Sequence, residues 1–119
     1  PSSKLLNDRG YAYMKLNNLP EAKTDFQNAI GLDSTNAYAW NNLGYLMYLQ
    51  KDYYNAQQSV YKSLEIDSAN ALAYYNLALV QIASQRKTAA CQSLDKALKL
   101  QYSKLYGKDA ETLRRKNCR

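Results

Sequence analysis

The chain has 119 residues and a formal charge of +6, from sixteen Lys and Arg against ten Asp and Glu, and it contains no histidine. That length fits one domain or a piece of a longer array. The missing histidine excludes His-based triads, His general bases and His metal ligands, and no run of eighteen apolar residues is present to span a bilayer.

Every predicted element is a helix, because no segment shows a strand's alternation bounded by turn signals. Ser2 or Ser3 caps a first helix over about 3–16. Asn17 to Pro20 is a turn, in which Asn18 is the expected cap and Pro20 is tolerated because a first helical turn has spare N–H groups. The second helix runs over about 20–32. Asn36 caps a third helix reaching about Gln50, Asp52 a fourth reaching about Ile66, and Asn70 a fifth reaching about Ser84. Gln85 to Thr88 leads into a sixth helix ending near Leu100. Gln101 to Gly107 reads as a break, and Lys108 to Asn117 as a short polar helix with Ala110 and Leu113 on one side.

These helices recur at a fixed step of about 34 residues. Gly10, Gly44 and Ala78 keep that step, as do Ala22, Ala56 and Ala90, and Ala29, Ser63 and Ala97. A step of this length marks a stack of helix pairs, each too small to bury its own apolar face. Small residues in register let two helix axes approach closely. Gly44 is expected to face Ala56, Ser63 to let the next pair settle, and Trp40, Leu43, Met47 and Val60 to fill the space around them. The last helix covers the end of the stack. At the other end nothing covers Leu5 and Leu6, which either pack inward or mark a unit cut away upstream; Pro1 in place of Met points to a processed or trimmed chain.

The pattern resembles the tetratricopeptide repeat (TPR) family. Its Trp-x2-Leu-Gly-x2-Tyr and Ala-x3-Phe signature appears as Trp40, Leu43, Gly44, Met47, Ala56 and Val60. Leu6, Gly10, Tyr13, Ala22 and Phe26 match it in the first unit, and Tyr74, Leu77, Ala78, Ala90 and Leu94 in the third. Arg9, Gln81, Ser34, Ser68 and Tyr102 depart from it. The resemblance implies an all-α, right-handed α-solenoid of three units, about 3–36, 37–70 and 71–104, plus a capping helix over about 108–117. It implies a single domain, alone or as a fragment of a longer chain.

The two cysteines bracket the last helices. If the sixth helix and the cap form an antiparallel hairpin centred near Lys104, Cys118 falls beside Cys91. A bond there closes a 27-residue loop and contributes about 3 kcal/mol by chain entropy. It also implies an oxidising compartment, periplasmic or extracellular, and a Cys pair in this place is loosely similar to secreted or envelope-associated bacterial TPR proteins. The alternative is two free thiols, one buried and one exposed, compatible with the cytoplasm. Two Cys without His make no structural zinc site within one chain, and no cofactor is expected.

Twelve tyrosines are the other informative feature. Tyr13 and Tyr74 occupy core positions of the pattern, and Tyr53, Tyr54 and Tyr61 are expected to pack between units. Tyr11, Tyr45 and Tyr48 fall on the face of the first helices away from the Leu-Gly seam. The resemblance implies that first helices line a concave groove. Helical spacing groups Asn7, Asp8, Tyr11 and Lys15 there in the first unit. Tyr38, Asn41, Asn42, Tyr45 and Leu49 group in the second, and Leu72, Tyr75, Asn76, Leu79 and Ala83 in the third. Tyr supplies contact area at low rotamer cost. Asn42 and Asn76, one step apart, either read a peptide backbone or satisfy nearby helix and loop groups. A subclass of the family clamps chaperone C-terminal carboxylates with Lys, Arg and Asn. Here Asn42 matches, but Asn7, Tyr11, Leu72 and Asn76 hold the other places and none is cationic, so chaperone tails are excluded as ligands.

The expected function is therefore a non-catalytic protein–protein interaction scaffold whose partner is a peptide or helical segment. An architectural or self-associating role is the alternative. The basic segment, with +4 of the charge in residues 101–119 around Arg114, Arg115, Lys116 and Arg119, either attracts phosphates, as in a nucleic-acid binder, or suits the end of a helix dipole. Carboxylates such as Asp8 and Asp52 form no acid–base constellation, which argues against an enzyme.

Overall fold

Helices begin where the chain offers an oxygen to their first N–H groups. In the computed structural model, which describes residues 1–118, the Ser2, Asn36 and Asn70 side chains accept from the N–H groups of Leu5, Ala39 and Ala73, and Asp52 accepts from Asn55. Such a contact satisfies one of the donors that a helix start leaves without partner. The elements are α1 (Ser3–Lys15), α2 (Leu19–Leu32), α3 (Ala37–Leu49), α4 (Tyr53–Ile66), α5 (Ala71–Ala83), α6 (Lys87–Lys99), α7 (Tyr102–Tyr106) and α8 (Asp109–Asn117). Among the described residues there is no strand. Asn18 precedes α2 but makes no side-chain capping bond, so Pro20 alone of the expected start signals acts there. The expected break at 101–107 contains the one-turn helix α7.

Each tight turn inside a helix pair is closed by a residue in the left-handed region: Asn17, Lys51 and Gln85, with φ of 62°, 64° and 61°. They keep the 34-residue step, although the residue that fits this conformation best, glycine, stands at none of them. The register of the pairs comes from cross-helix bonds. Ser3 Oγ donates to the Ala29 carbonyl at 2.7 Å in the first pair. In the second pair the roles are exchanged, with Ser63 Oγ donating to the Ala37 carbonyl at 2.7 Å. Rather than simply making room for the following pair, as its small size suggests, Ser63 bonds through its hydroxyl within its own pair.

The close approach of the paired helices centres on the glycines. A Cβ on Gly44 would lie 2.7 Å from Val60 Cγ2 and 3.1 Å from the Ala56 carbonyl oxygen, and one on Gly10 would lie 2.7 Å from the Phe26 ring. Contacts under 3 Å are not sustained by real side chains, so hydrogen is the only substituent that these crossings accept unchanged.

The chain divides into two units, Pro1–Asp67 and from Ser68 onward. In the first, α1–α4 form two helix pairs whose core joins Met14, Ala22, Phe26, Leu43 and Leu46, with Leu6, Ala29 and Ala39 in a second cluster. Leu6 is thus buried, whereas Leu5 is 62% exposed. In the second unit, α5 and α6 pair, and α7 and α8 close over them: Ala71, Ala78, Ala90, Leu94, Ala97, Tyr102 and Ala110 form one core. Leu113 and Cys118 pack against its edge. Cys91 and Cys118 are joined in a disulfide, with their Cα atoms 5.9 Å apart.

Three residues that break the sequence pattern each have a polar or aromatic partner. Arg9 holds Asp25 in a bidentate pair, Nε and Nη2 both at 2.7 Å. Buried Gln81 accepts from Ser93 Oγ at 2.7 Å. Tyr102 is 2% exposed and stacks on Tyr75 at 4.8 Å between centroids. Asp25, Ser59 and Ser93 share one position of the repeat, and Ser59 Oγ there donates to Met47 Sδ at 3.6 Å.

Candidate functional site

Helices α1 and α3 bury one face and present another, and the expected binding residues of the first unit divide between the two. Asn7 is 8% and Asn41 2% exposed, so both lie inside the protein surface. Tyr11 and Tyr38 stand out from it, 45% and 67% exposed, with Leu49 at 41%. Asn42 and Tyr45 are half-buried between these extremes. Asn42 Nδ2 donates to Asn7 Oδ1 at 2.9 Å, bridging α3 to α1. Lys15 Nζ lies over the Tyr11 ring at 5.3 Å, and Asp8 accepts from Lys4 Nζ at 2.9 Å. Tyr45 packs against the core and against Tyr48 at 5.9 Å, and Tyr48 in turn meets Tyr53 at 6.1 Å. Burial raises the Tyr48 hydroxyl pKa above its ordinary value.

A cleft of about 650 Å³ opens at the N-terminal ends of α1 and α3, where Asn7, Asp8, Asn36 and Tyr38 contribute to its walls. Its loop wall is cross-bonded. Asp33 accepts from the Thr35 hydroxyl at 2.6 Å and the Thr35 N–H at 3.0 Å, and these bonds lower the carboxyl pKa. Asn36 Nδ2 donates to Ser3 Oγ at 2.9 Å while Asn36 Oδ1 caps α3, so one amide ties both helix starts.

In the second unit, α5 carries Leu72, Tyr75, Asn76 and Leu79. Asn76 is 5% exposed, and Leu72, Tyr75 and Leu79 are half-buried. Leu72 and Tyr75 pack against the core, and Tyr75 has one ring face on Tyr102. Sequence reasoning missed that stack because Tyr102 lies in the segment read as a break. It also missed the Arg9–Asp25 pair, for which the shared repeat position of Asp25, Ser59 and Ser93 was the available signal.

Tyr54 and Tyr61, expected between units, are instead 70% and 37% exposed; Tyr54 Oη accepts from Gln58. In the basic segment, Arg114 Nε donates to Asp95 at 2.6 Å, Arg115 reaches Thr112, and Arg119 lies outside the described residues. Among the described residues, no three His, Cys, Asp or Glu side chains are grouped to hold a metal ion, and no helix is long and apolar enough to cross a membrane.

The arrangement of helix pairs has close structural parallels. The first TPR of Spaghetti (RPAP3), bound to the HSP90 peptide SRMEEVD, superposes with a TM-score of 0.87 at 18% identity, covering 97% of this chain and 89% of that one. The Arabidopsis OM64 TPR domain gives 0.85 at 25% identity, covering 97% and 95%. The second TPR of Spaghetti (RPAP3), with the same peptide, gives 0.80 at 18%, covering 84% and 93%. No curated protein sequence matches. A family model described as TPR repeat matches residues 10–51, and one described as tetratricopeptide repeat matches 37–70 and 71–104. With the paired helices, the glycine crossings and these matches together, the chain belongs to the tetratricopeptide repeat family.

Proposed function

We propose that the chain is a non-catalytic protein-interaction scaffold that holds a peptide or short helical segment of a partner against its first helices. The observation that carries this reading is the exposure of Tyr11 and Tyr38 beside the Asn7–Asn42 bridge, on helices whose opposite face is core. Tyr gives a large, rigid contact with a hydroxyl at its tip. An amide has two N–H groups and a carbonyl, so the single bond from Asn42 to Asn7 does not exhaust it, and that bond holds Asn42 in one orientation before a ligand arrives. Tyr45 supplies the apolar floor. Asn41 acts from beneath, as support for the helix surface. The second unit, taken by itself, carries Leu72, Tyr75, Asn76 and Leu79 of α5 one repeat step after Tyr38, Asn41, Asn42 and Tyr45, a face of the same kind.

Two structural relatives hold an acidic peptide, which supports a peptide as the occupant. Its chemistry here differs. Asn7, Tyr11, Asn42, Leu72 and Asn76 stand at the clamp positions, and none offers the charged donor that repays desolvation of a carboxylate. The favoured partner segment is therefore read through its backbone and apolar side chains rather than through an acidic terminus.

Peptides selected by display on the intact chain test this. Their affinity is expected to fall about tenfold in Tyr11→Ala and in Asn42→Ala, about 1.4 kcal/mol each, with the melting temperature of Tyr11→Ala unchanged. Labelled SRMEEVD is expected to show no saturable binding by fluorescence anisotropy. Selected peptides that bind both variants as tightly as the parent would move the site off these helices.

A further inference from the structure

The charge of this protein is not shared between its two units. Residues before Ser68 contain six Lys and Arg against seven Asp and Glu, whereas residues from Ser68 onward contain ten against three. The second unit also presents an exposed apolar tip: Leu105 is 64% and Tyr106 46% exposed, in α7. Single exposed leucines are ordinary on protein surfaces, but this tip differs in three respects.

First, it is flanked by cations. Lys104 and Lys108 lie on either side of Leu105 and Tyr106 and are exposed, as are Lys99 before α7 and Arg115 and Lys116 on α8. Second, the tip is thrust outward by the backbone. Gln101 at φ 68° and Gly107 at φ 96° bend the chain sharply at each end of the one-turn helix. Third, it is held rigid. Tyr102 is buried and stacked on Tyr75 at 4.8 Å, Tyr106 lies against Tyr102 at 5.1 Å, and Ser103 Oγ donates to Glu111 Oε1 at 3.0 Å. The disulfide fixes α8 and its basic residues on the same unit.

An apolar side chain and an aromatic ring at the apex, with lysines flanking them, match the interface of an anionic bilayer. Leucine enters the acyl boundary, tyrosine settles at the headgroup level, and lysine stems extend along apolar surface while their ammonium groups reach lipid phosphates. A nucleic acid would use the cations but has no use for an exposed leucine beside them. We propose that the α7 corner is a peripheral docking surface for anionic membranes, with Leu105 and Tyr106 inserting and Lys104 and Lys108 pairing with headgroups. The residues that would meet the membrane, Lys104, Leu105, Tyr106 and Lys108, are not among those of the peptide reading, although Tyr75, beneath Tyr102, belongs to both surfaces.

Co-sedimentation of the oxidised full chain with large unilamellar vesicles tests it. Binding is expected to vesicles of phosphatidylcholine with about 30% phosphatidylserine and not to phosphatidylcholine alone, and to weaken when salt is raised from about 0.1 to 0.5 M. Leu105→Ala and, separately, Lys104→Glu/Lys108→Glu are each expected to weaken it about tenfold. All three positions are exposed, and an unchanged far-ultraviolet circular dichroism spectrum verifies that the variants are folded. Absence of binding to the anionic vesicles overturns the proposal. So does binding that survives Leu105→Ala within twofold while failing in the lysine variant, which would assign the surface to polyanions in general.

Discussion

A glycine at a helix crossing and a glycine on a helix surface have opposite consequences in this chain. Gly44 has Val60 within 2.7 Å of the place a Cβ would take, whereas Gly31, near the end of α2, has nothing within 4 Å. Gly44→Ala is expected to cost about 1–3 kcal/mol through overpacking. Gly31→Ala is expected to add about 0.5–1 kcal/mol, because alanine loses less backbone freedom on joining a helix. Urea melts of both variants measure the difference; equal and opposite midpoint shifts are not required, but opposite signs are. Asp25 carries the second prediction at this scale. The Arg9 hydrogen bonds hold its carboxyl pKa below the ordinary 3.8, so the unfolded chain takes up that proton first. The stabilisation is complete above about pH 5, begins to fall as pH approaches the unfolded value, and is lost as pH drops through the folded-state value. Asp25→Asn is expected to lower the melting temperature at neutral pH and to flatten its decline in acid. Thermal melts from pH 7 to 2 check both. Asp33, held down by Thr35, leaves a smaller acid dependence in the variant.

Among the elements, α8 depends most on a covalent tie. It has nine residues, below the length at which an isolated helix is stable in water, and of its residues only Ala110 is buried. Its salt bridge from Arg114 to Asp95 is exposed on both sides and contributes little. The Cys91–Cys118 bond closes a loop of 27 residues, which by chain entropy is worth roughly 3–4 kcal/mol. Reduction by a dithiol is expected to lower stability by about that amount and to release hydrogen-exchange protection in α8 before α5 and α6. Loss of protection throughout the second unit at once would mean that α8 and the α5–α6 pair form a single cooperative element. The paired helices α1 to α6 differ from α8: each packs on a partner through glycine or alanine crossings, with the Ser3–Ala29, Ser63–Ala37 and Ser93–Gln81 bonds tying the first, second and third pairs.

For the molecule as a whole, the sequence by itself determined the six paired helices and the last helix, the caps at Asn36, Asp52 and Asn70, the pairing and the family, but not the cap of α2 or the existence of α7. What it determined depends on nearby residues and on a step of 34: Asn36 and Asn70 cap the helices that start beside them, and Gly10, Gly44 and Ala78 recur because pairs of one shape repeat. Tertiary structure decided the features that depend on residues far apart or out of register. Arg9 looked like a break in the pattern until Asp25, sixteen residues on, met it: the carboxylate is buried while the guanidinium reaches it from a largely exposed side chain. The bond from Asn42 to Asn7 spans 35 residues, so no local pattern announces it. Tyr54 and Tyr61 share helical spacing with packed residues, yet they face solvent, because periodicity gives the angle around a helix but not the surface that stands opposite. The α7 corner was hidden for a related reason: five residues are too few to show a period, and only the fold sets Tyr102 inward and Leu105 outward. Local backbone preferences and repeat spacing are written along the chain, whereas exposure is a property of two surfaces and needs both to be placed.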